Sequence, residues 1–218
     1  DFLTIFIPTF NRNHELKRLL DSLVLQTNKN FKVLVVDDGS TDNTHSMIKE
    51  YKKKLSLKYV WKENEGKIRT VKYALELIDT EFFFNLDSDA WLKHDAVEVI
   101  LNDLECYSRD KEFGGLYYTI EDQDGNIIGR QFKQDYLKSD FQKALDFDNV
   151  SGDKAVITKT ILLKQVGIPI FEDEIFLTES VYQNRIALLS YCVCRNSSPM
   201  IVEYHEDGLT SNIPNYWI

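Results

Sequence analysis

Two aspartates stand one residue apart near the middle of the chain, where they could serve chemistry. Asp87 and Asp89 flank a serine directly after an apolar segment that ends at Leu86. Two carboxylates this close repel each other unless a positive charge lies between them. Hard divalent cations take oxygen ligands and commonly bridge carboxylates to substrate phosphates. The pair therefore indicates a site for Mn²⁺ or Mg²⁺.

A second acidic pair, Asp37-Asp38, follows another apolar segment and precedes a glycine and a serine. A carboxylate at such a turn can accept a hydrogen bond from the ring N–H of a nucleobase, or it can cap the next helix. A phosphorelay receiver domain also carries an acidic pair, but it needs a phosphorylatable aspartate after its third strand. Here that strand ends at Trp61-Lys62, so the receiver interpretation is set aside.

Alternating strand and helix patterns must position these acids. Four apolar segments predict strands, at Leu3–Ile7, Phe31–Val36, Leu57–Trp61 and Glu81–Leu86. Helical spacing follows each of them, at about 14–26, from Ser40 or Thr41 to Lys53, at 68–78 and at 97–104. Four such units in residues 1–105 predict a parallel, doubly wound sheet with right-handed crossovers.

The polar residues of this first half lie at the predicted strand exits. In open parallel sheets, ligands bind beyond the carboxyl ends of the strands. All four exits here carry turn formers or charged residues, at 8–12, 37–40, 62–67 and 87–89. Because the exits share one edge of the sheet, we expect them to form one ligand site.

The second half, residues 106–218, has a less regular pattern. Gly114–Thr119 and Asn126–Phe132 flank a turn-rich segment and predict a β-hairpin. Further elements are expected as helices near 158–165 and 178–189 and as a last strand at 199–204. Neither a repeat nor a linker interrupts the chain, so we expect a single domain over 1–218.

Composition narrows the function classes. The 218 residues include 26 Lys and Arg against 35 Asp and Glu, and the net charge of −9 argues against a nucleic-acid binder with a broad basic surface. No apolar segment approaches the roughly 18 residues of a membrane span. Three cysteines without disulfide or zinc spacing favour a reducing, cytoplasmic location. A phosphorylated ligand would therefore need positive charge supplied locally.

Four motifs in register carry a family resemblance. They are Ile5-Phe-Ile-Pro-Thr-Phe-Asn-Arg12, Val35-Val-Asp-Asp-Gly-Ser-Thr-Asp42, Asn64-Glu-Gly66 with Arg69, and Leu86-Asp-Ser-Asp89. Together they resemble the nucleotide-sugar-binding half of a family 2 glycosyltransferase with the GT-A fold, closely over 3–92 and more loosely beyond. The resemblance implies a Rossmann-like, mostly parallel central sheet flanked by helices, with a small antiparallel element in the second half. It also implies a nucleotide-diphospho-sugar donor, usually a UDP-sugar, and a divalent metal.

The resemblance assigns donor contacts to the strand exits. Asp38 would face the uracil, and Arg69 would serve the diphosphate side. Positive charge from Arg12, Lys67 or Arg69 would stabilise the leaving diphosphate. The expected donor-binding residues are Pro8, Thr9, Asn11, Arg12, Asp37, Asp38, Asn64, Gly66, Lys67, Arg69, Asp87 and Ser88.

The expected metal ligands are Asp87, Asp89 and His205. The first two match the Asp-x-Asp element, which holds ribose and metal in the family. Family members often have a third aspartate where this chain has Ala90, which leaves open which of the two carries the metal. His205 follows the last predicted strand and is either a further ligand or polar surface.

The acceptor hydroxyl needs a base, since its pKa lies far above 7. The resemblance places a carboxylate at the start of a late helix, about seven residues before an arginine. Thr178-Glu179 with Arg185 is the matching segment, so Glu179 is the candidate base; its alternative role is a helix N-terminal carboxylate favoured by the dipole. The rival acids lie just upstream, at Glu172, Asp173 and Glu174.

The expected function is inverting transfer of a sugar to a hydroxyl of a glycan or lipid-linked acceptor, in surface polysaccharide synthesis. We expect no nucleic-acid partner and peripheral attachment at the inner face of the membrane. One alternative is a binding module without turnover, favoured by Thr178 and Ala90 in place of acids. Another is a sugar nucleotidyltransferase, disfavoured because the exit at 8–12 contains no glycine.

Overall fold

The computed structural model describes residues 2–140, 152–171 and 178–203. Strands and helices alternate through the first half and follow less regularly after it. The described strands are β1 Leu3–Thr9, β2 Lys32–Asp37, β3 Leu57–Trp61, β4 Phe82–Asn85, β5 Ala90–Leu92, β6 Phe113–Tyr118, β7 Leu137–Ser139, β8 Ala155–Lys159, β9 Tyr191–Arg195 and β10 Met200–Val202. The described helices are α1 Asn13–Val24, α2 Thr44–Tyr51, α3 Lys67–Leu77, α4 Ala96–Tyr107, α5 Thr160–Val166 and α6 Ser180–Ala187.

One eight-stranded sheet runs through both halves of the described chain, in the order β3-β2-β1-β4-β8-β6-β9-β7. Strands β1 to β4 are mutually parallel where they pair, as the sequence predicts. Strand β8 is antiparallel to both β4 and β6, and β9 is parallel to β6. A separate two-stranded antiparallel sheet pairs β5 with β10. The predicted mixed α/β fold with a small antiparallel element is confirmed.

Helices cover both faces of the sheet because alternate strand residues are apolar on both sides. One face buries Ile5 and Val33 against the leucines of α1 and the apolar side of α4. The other buries Phe6 and Leu34 against α3, α5 and α6. Burying each large aliphatic or aromatic side chain stabilises the folded protein by about 1.5–3 kcal/mol. With both faces covered, the carboxyl-terminal edge of the parallel strands is left for ligands.

The structure corrects the predicted start of α2. This helix begins at Thr44, preceded by Asn43, rather than at Ser40 or Thr41. The reason is local, since the Ser40 N–H donates to the Asp37 carboxylate at 2.8 Å and so belongs to the turn that leaves β2.

The second half departs further from the sequence expectations. The predicted hairpin strand Asn126–Phe132 is not a strand, and Ile127 makes only an isolated bridge to Glu121. The Asp122 carboxylate accepts hydrogen bonds from the N–H groups of 124 and 126, which closes a compact turn instead. The helix predicted at 158–165 begins at Thr160, because 155–159 form β8. The sequence patterns do not predict strands β5, β7 and β9.

Candidate active site

Strands β1, β2 and β3 end side by side at the carboxyl-terminal edge of the sheet. Thr9 lies opposite Asp37 in register, and Asp37 lies opposite Trp61. Strand β4 ends at Asn85, which pairs with Phe6 on the other side of β1. The predicted strand exits therefore meet at one edge, as expected for parallel strands.

Asn11 links the exits of β1 and β2 by hydrogen bonds. Its N–H donates to the Ser40 hydroxyl at 2.8 Å, and its side-chain oxygen accepts from the Thr41 N–H at 2.8 Å. Asn11 has a φ of +50°, a left-handed conformation that asparagine tolerates better than most residues. Asn11 thus shapes the edge, and Arg12 follows it with an ion pair to Glu15 at 3.7 Å.

The two aspartates at the exit of β2 are buried and hold loops in place. Asp37 accepts hydrogen bonds from the Ser40 N–H at 2.8 Å and the Tyr59 hydroxyl at 2.6 Å. Asp38 accepts from the Lys62 ammonium at 2.5 Å and from the N–H groups of 65 and 66 at 3.0 and 2.8 Å. The Asp38 carboxylate therefore fixes the loop that leads into α3.

Two glycines let this loop pass close to the β2 exit. Gly39 has a φ of +89°, and a Cβ atom there would lie 2.9 Å from the backbone nitrogen of Asn64. Gly66 has a φ of +91° and directly precedes α3, with open space where its Cβ would be. The exposed Asn64 and the open side of Gly66 leave room for a ligand at the start of α3.

Lys67 joins the two carboxylates that the sequence analysis placed in metal binding and base catalysis. Its ammonium lies 2.8 Å from the Asp87 carboxylate and 3.6 Å from the Glu179 carboxylate. The Asn85 side-chain amide donates a hydrogen bond to the same Glu179 oxygen. Tyr182, one turn along α6, lies close enough to Glu179 to help lower the pKa of its carboxyl group. The first and second halves of the chain therefore meet in this cluster.

Burial and charge shift the acid–base properties of these groups. Burial raises the pKa of Glu179 and nearby Asp87 adds to this, while Lys67 opposes both. Burial also raises the pKa of Asp89, and repulsion from Asp87 adds to the rise. Burial lowers the pKa of Lys67, but the negative charges of Asp87 and Glu179 outweigh it, so the pKa is raised overall. Lys67 therefore stays a cation.

The donor set at Asp87 and Asp89 fits a hard divalent cation. Both are oxygen donors, the Asp87 side chain is half exposed, and the repulsion acting on Asp89 is what a bound cation relieves. Within the described residues, no group of three or more His, Cys, Asp or Glu side chains has metal-site geometry. Phosphate oxygens of a substrate could supply further ligands.

The structure describes all but one of the remaining predicted residues. Pro8, Thr9 and Ser88 are buried, Arg69 is half-buried on α3, and His205 lies outside the described residues. The rival acids Glu172, Asp173 and Glu174 also lie outside the described residues.

Sequence reasoning missed two residues beside Glu179, of which Asn85 donates a hydrogen bond to it. Asn85 is the one polar residue of β4, after three phenylalanines, and this break in an apolar strand is the signal that could have marked it. Tyr182 lies three residues after Glu179, the spacing that puts two side chains on one side of a helix. The side-chain oxygens of Asn85 and Thr9 are buried at this edge and find no hydrogen-bond partner among the described residues.

Comparisons with known proteins point to one family. Residues 4–164 match the family described as Glycosyl transferase family 2. The chain is 28% identical over 151 residues to Glycosyltransferase GlyA of Streptococcus pneumoniae serotype 4, which is 69% of this chain and 22% of that protein. It is 29% identical over 133 residues to chondroitin synthase of Escherichia coli, which is 60% of this chain and 19% of that protein. The chain thus spans about a fifth of the length of these relatives.

A solved structure shares the fold. The crystal structure of S. aureus TarS 1–349 in complex with UDP-GlcNAc has a TM-score of 0.81 at 21% identity. The match covers 97% of this chain and 61% of that one. The described part of the chain contains no helix with the length and apolar character to cross a membrane.

Proposed function

The chain belongs to glycosyltransferase family 2, and we propose that it transfers a sugar from a UDP-sugar to a hydroxyl group of a glycan or lipid-linked acceptor. One observation carries the proposal. Glu179 from the second half reaches the carboxyl-terminal edge of the parallel sheet and lies 3.6 Å from Lys67, which contacts Asp87 at 2.8 Å. A base and a phosphate-binding region are therefore adjacent, as sugar transfer from a diphosphate requires.

Departure of the diphosphate would be assisted at Asp87 and Asp89. Mn²⁺ or Mg²⁺ held there would neutralise negative charge on the leaving group. Lys67 stays protonated and lies beside Asp87, so its ammonium can turn to a diphosphate that binds between them. Arg12 lies close enough to Asp89 to affect its pKa, and Arg69 lies in the first turn of α3; both would add positive charge locally in a chain whose net charge is −9.

Glu179 would remove the proton of the acceptor hydroxyl. Its raised pKa makes it a stronger base than an ordinary carboxylate, and efficient general bases have pKa values closer to the working pH. The hydrogen bond from Asn85 orients its carboxylate. A single displacement, with base and leaving group on opposite faces of the sugar, would invert the anomeric centre.

Asp38 has one acceptor position left for a nucleobase. A carboxylate offers about four acceptor positions, and Lys62 and two backbone N–H groups use three of them. The fourth suits the ring N–H of uracil. The test is competition between nucleotides: UDP should bind more tightly than ADP, and equal potency of the two would contradict this role.

The first donor to test is UDP-GlcNAc, which the structurally similar S. aureus TarS binds in its crystal structure. Release of UDP should require Mn²⁺ or Mg²⁺ and should accelerate when an acceptor glycan is present. The relationship to a chondroitin synthase supports polysaccharide synthesis as the setting. Tight binding of UDP-sugars with no turnover on any acceptor would instead favour the binding module. Thr178 and Ala90, which stand in place of acids, support that alternative.

A lipid-linked acceptor would bring the protein to a membrane surface, and we include peripheral association in the proposal. Five exposed lysines lie within ten residues, from the last turn of α2 through the following loop to the start of β3, at positions 49, 52, 53, 54 and 58. Each basic residue near an anionic surface contributes about 1 kcal/mol. The protein should therefore sediment with phosphatidylglycerol vesicles at low salt and be released by added salt. Equal sedimentation with phosphatidylcholine vesicles would contradict an electrostatic attachment.

A further inference from the structure

Arg18 on α1 connects three chain segments beside Asp89. One guanidinium nitrogen pairs with the Glu203 carboxylate, and another donates to the Asp89 carbonyl oxygen at 3.1 Å. Its planar face lies over the Trp91 ring, 4.0 Å from the ring centroid. A flat, forked guanidinium can make these three contacts at once, whereas a lysine ammonium cannot.

The contacts of Arg18 converge on the start of the small sheet. β5 begins directly after Asp89, and its first residue, Ala90, pairs with Val202 at the end of β10. The Glu203 N–H also donates to the Asp89 carbonyl, at 3.4 Å. The backbone of Asp89 is therefore held both by Arg18 directly and by the segment that Arg18 pairs with.

The turn from Asp87 to Asp89 needs such support because its two carboxylates repel each other. Lys67 compensates the charge of Asp87 by direct contact at 2.8 Å. Among the described residues, no ion pair involves the Asp89 carboxylate, and its carbonyl oxygen is held instead. A backbone anchored at this point limits how far the two carboxylates can move apart.

We propose that Arg18 is a positioning residue for the Asp87–Asp89 pair: by fixing the Asp89 backbone, it keeps both carboxylates in place to bind a divalent cation with a nucleoside diphosphate. The proposal rests on the function proposed above for this pair. Arg18 acts through the backbone and contacts neither substrate nor metal. It should therefore affect metal-dependent binding of the diphosphate and leave metal-free binding of a nucleoside unchanged.

The test compares Arg18→Lys with the wild-type protein by calorimetry, with UDP in the presence and absence of Mn²⁺ and with uridine alone. The substitution keeps the positive charge but loses the fork and the stacked plane. Loss of one hydrogen bond from a charged donor corresponds to about a tenfold weaker affinity. We expect that loss for UDP with Mn²⁺, with uridine affinity unchanged. The matched control is Lys17→Ala, the neighbouring cation, which pairs with Asp21 on the exposed side of α1.

The outcomes separate this inference from the proposed function. If the wild-type protein binds UDP with no dependence on Mn²⁺, the proposed function fails and this inference with it. If the wild-type protein shows the dependence and Arg18→Lys retains it fully, only the inference is overturned. Should Arg18→Lys fail to fold, Glu203→Gln removes the ion pair and keeps the backbone contact. That variant should weaken UDP binding with Mn²⁺ by a smaller factor, and unchanged affinity would overturn the inference.

Discussion

The two halves of the chain build their parts of the site by different rules. In the first half, each polar exit directly follows a parallel strand, so chain order alone brings Asp38 and Asp87 to one edge. In the second half, β6 pairs with β8 and β9, which lie about 40 and 80 residues further along the chain. Sequence patterns near Glu179 therefore carry little information about what it meets. From this difference we expect donor binding to depend on the first half of the chain. We expect the sugar-transfer step to depend on contacts between the two halves.

The largest effect should come from removing the proposed base. Glu179→Gln keeps the shape but cannot accept a proton, and a general base contributes about 10²- to 10⁴-fold in rate. We expect kcat to fall by that factor while UDP affinity is unchanged, because the base acts mainly in the transition state. Steady-state kinetics together with calorimetry would measure both quantities.

The acids upstream of Glu179 provide matched controls for this experiment. Glu172→Gln, Asp173→Asn and Glu174→Gln should each leave kcat close to the wild-type value. If one of them abolishes turnover while Glu179→Gln stays active, the base belongs upstream and the contact between the halves is not catalytic.

The second largest effect should fall on donor binding alone. In Asp89→Asn and Asp87→Asn, one charged oxygen ligand is lost, and even outer-shell partners of a metal are worth about 10- to 100-fold in affinity. We expect the affinity for UDP with Mn²⁺ to drop by at least about 100-fold, with the fold preserved. If both variants retain Mn²⁺-dependent affinity for UDP, the metal does not bind at this edge of the sheet.

A smaller effect should follow from loosening Glu179 without removing it. Asn85→Ala deletes the amide that donates to the Glu179 carboxylate. Because one hydrogen bond to a charged group is worth about 1.5–3 kcal/mol, kcat should fall by at least about tenfold with donor KM nearly unchanged. Asn102→Ala, at an exposed position on α4, is the matched control and should spare kcat. If Asn85→Ala raises donor KM and spares kcat, Asn85 contacts the donor instead.

The sequence predicts the first half well because its elements are long, regular and separated by turn signals. The register of Glu179 came from a resemblance, not from spacing. The role of Asn85 is not predictable from the sequence because one amide in an apolar strand has no distinctive pattern. The role of Arg18 is not predictable either, because an arginine on a helix is usually solvated. β7 and β5 have three residues each, too few for a periodic signal, and β9 continues an apolar segment that begins in α6. The contacts of Asn85 and Arg18 and the pairing of these strands depend on tertiary packing, which sequence periodicity does not predict.

The second half also contains a buried polar network that holds β9 near α4. Arg195 pairs with Asp103 and, at 3.0 Å, with Asp135, and Tyr118 donates to Asp103 at 2.6 Å. Its outer member, Asp135, is almost half exposed and accepts from the Asn196 N–H at 2.8 Å. If the second half depends on such non-local polar contacts, its stability should respond to pH through this carboxylate.

The smallest expected effect is that of Asp135→Asn on stability. Burial raises the pKa of Asp135, but the hydrogen bonds from Asn196 and Arg195 outweigh it and hold the pKa below its ordinary value of 3.8. A lowered pKa stabilises the folded protein above the ordinary value, and the contribution disappears as pH falls through the lowered one. At pH 7 the variant should therefore be less stable by about 1 kcal/mol or less, since solvent screens the group and Arg195 keeps Asp103 as a partner. That loss corresponds to about 2–4 °C in the unfolding midpoint of a chain this size. Thermal unfolding at pH 7 and below pH 3 should show the difference shrinking as both proteins lose the charge, and a difference that stays constant would mean that Asp135 contributes by packing rather than by its carboxylate.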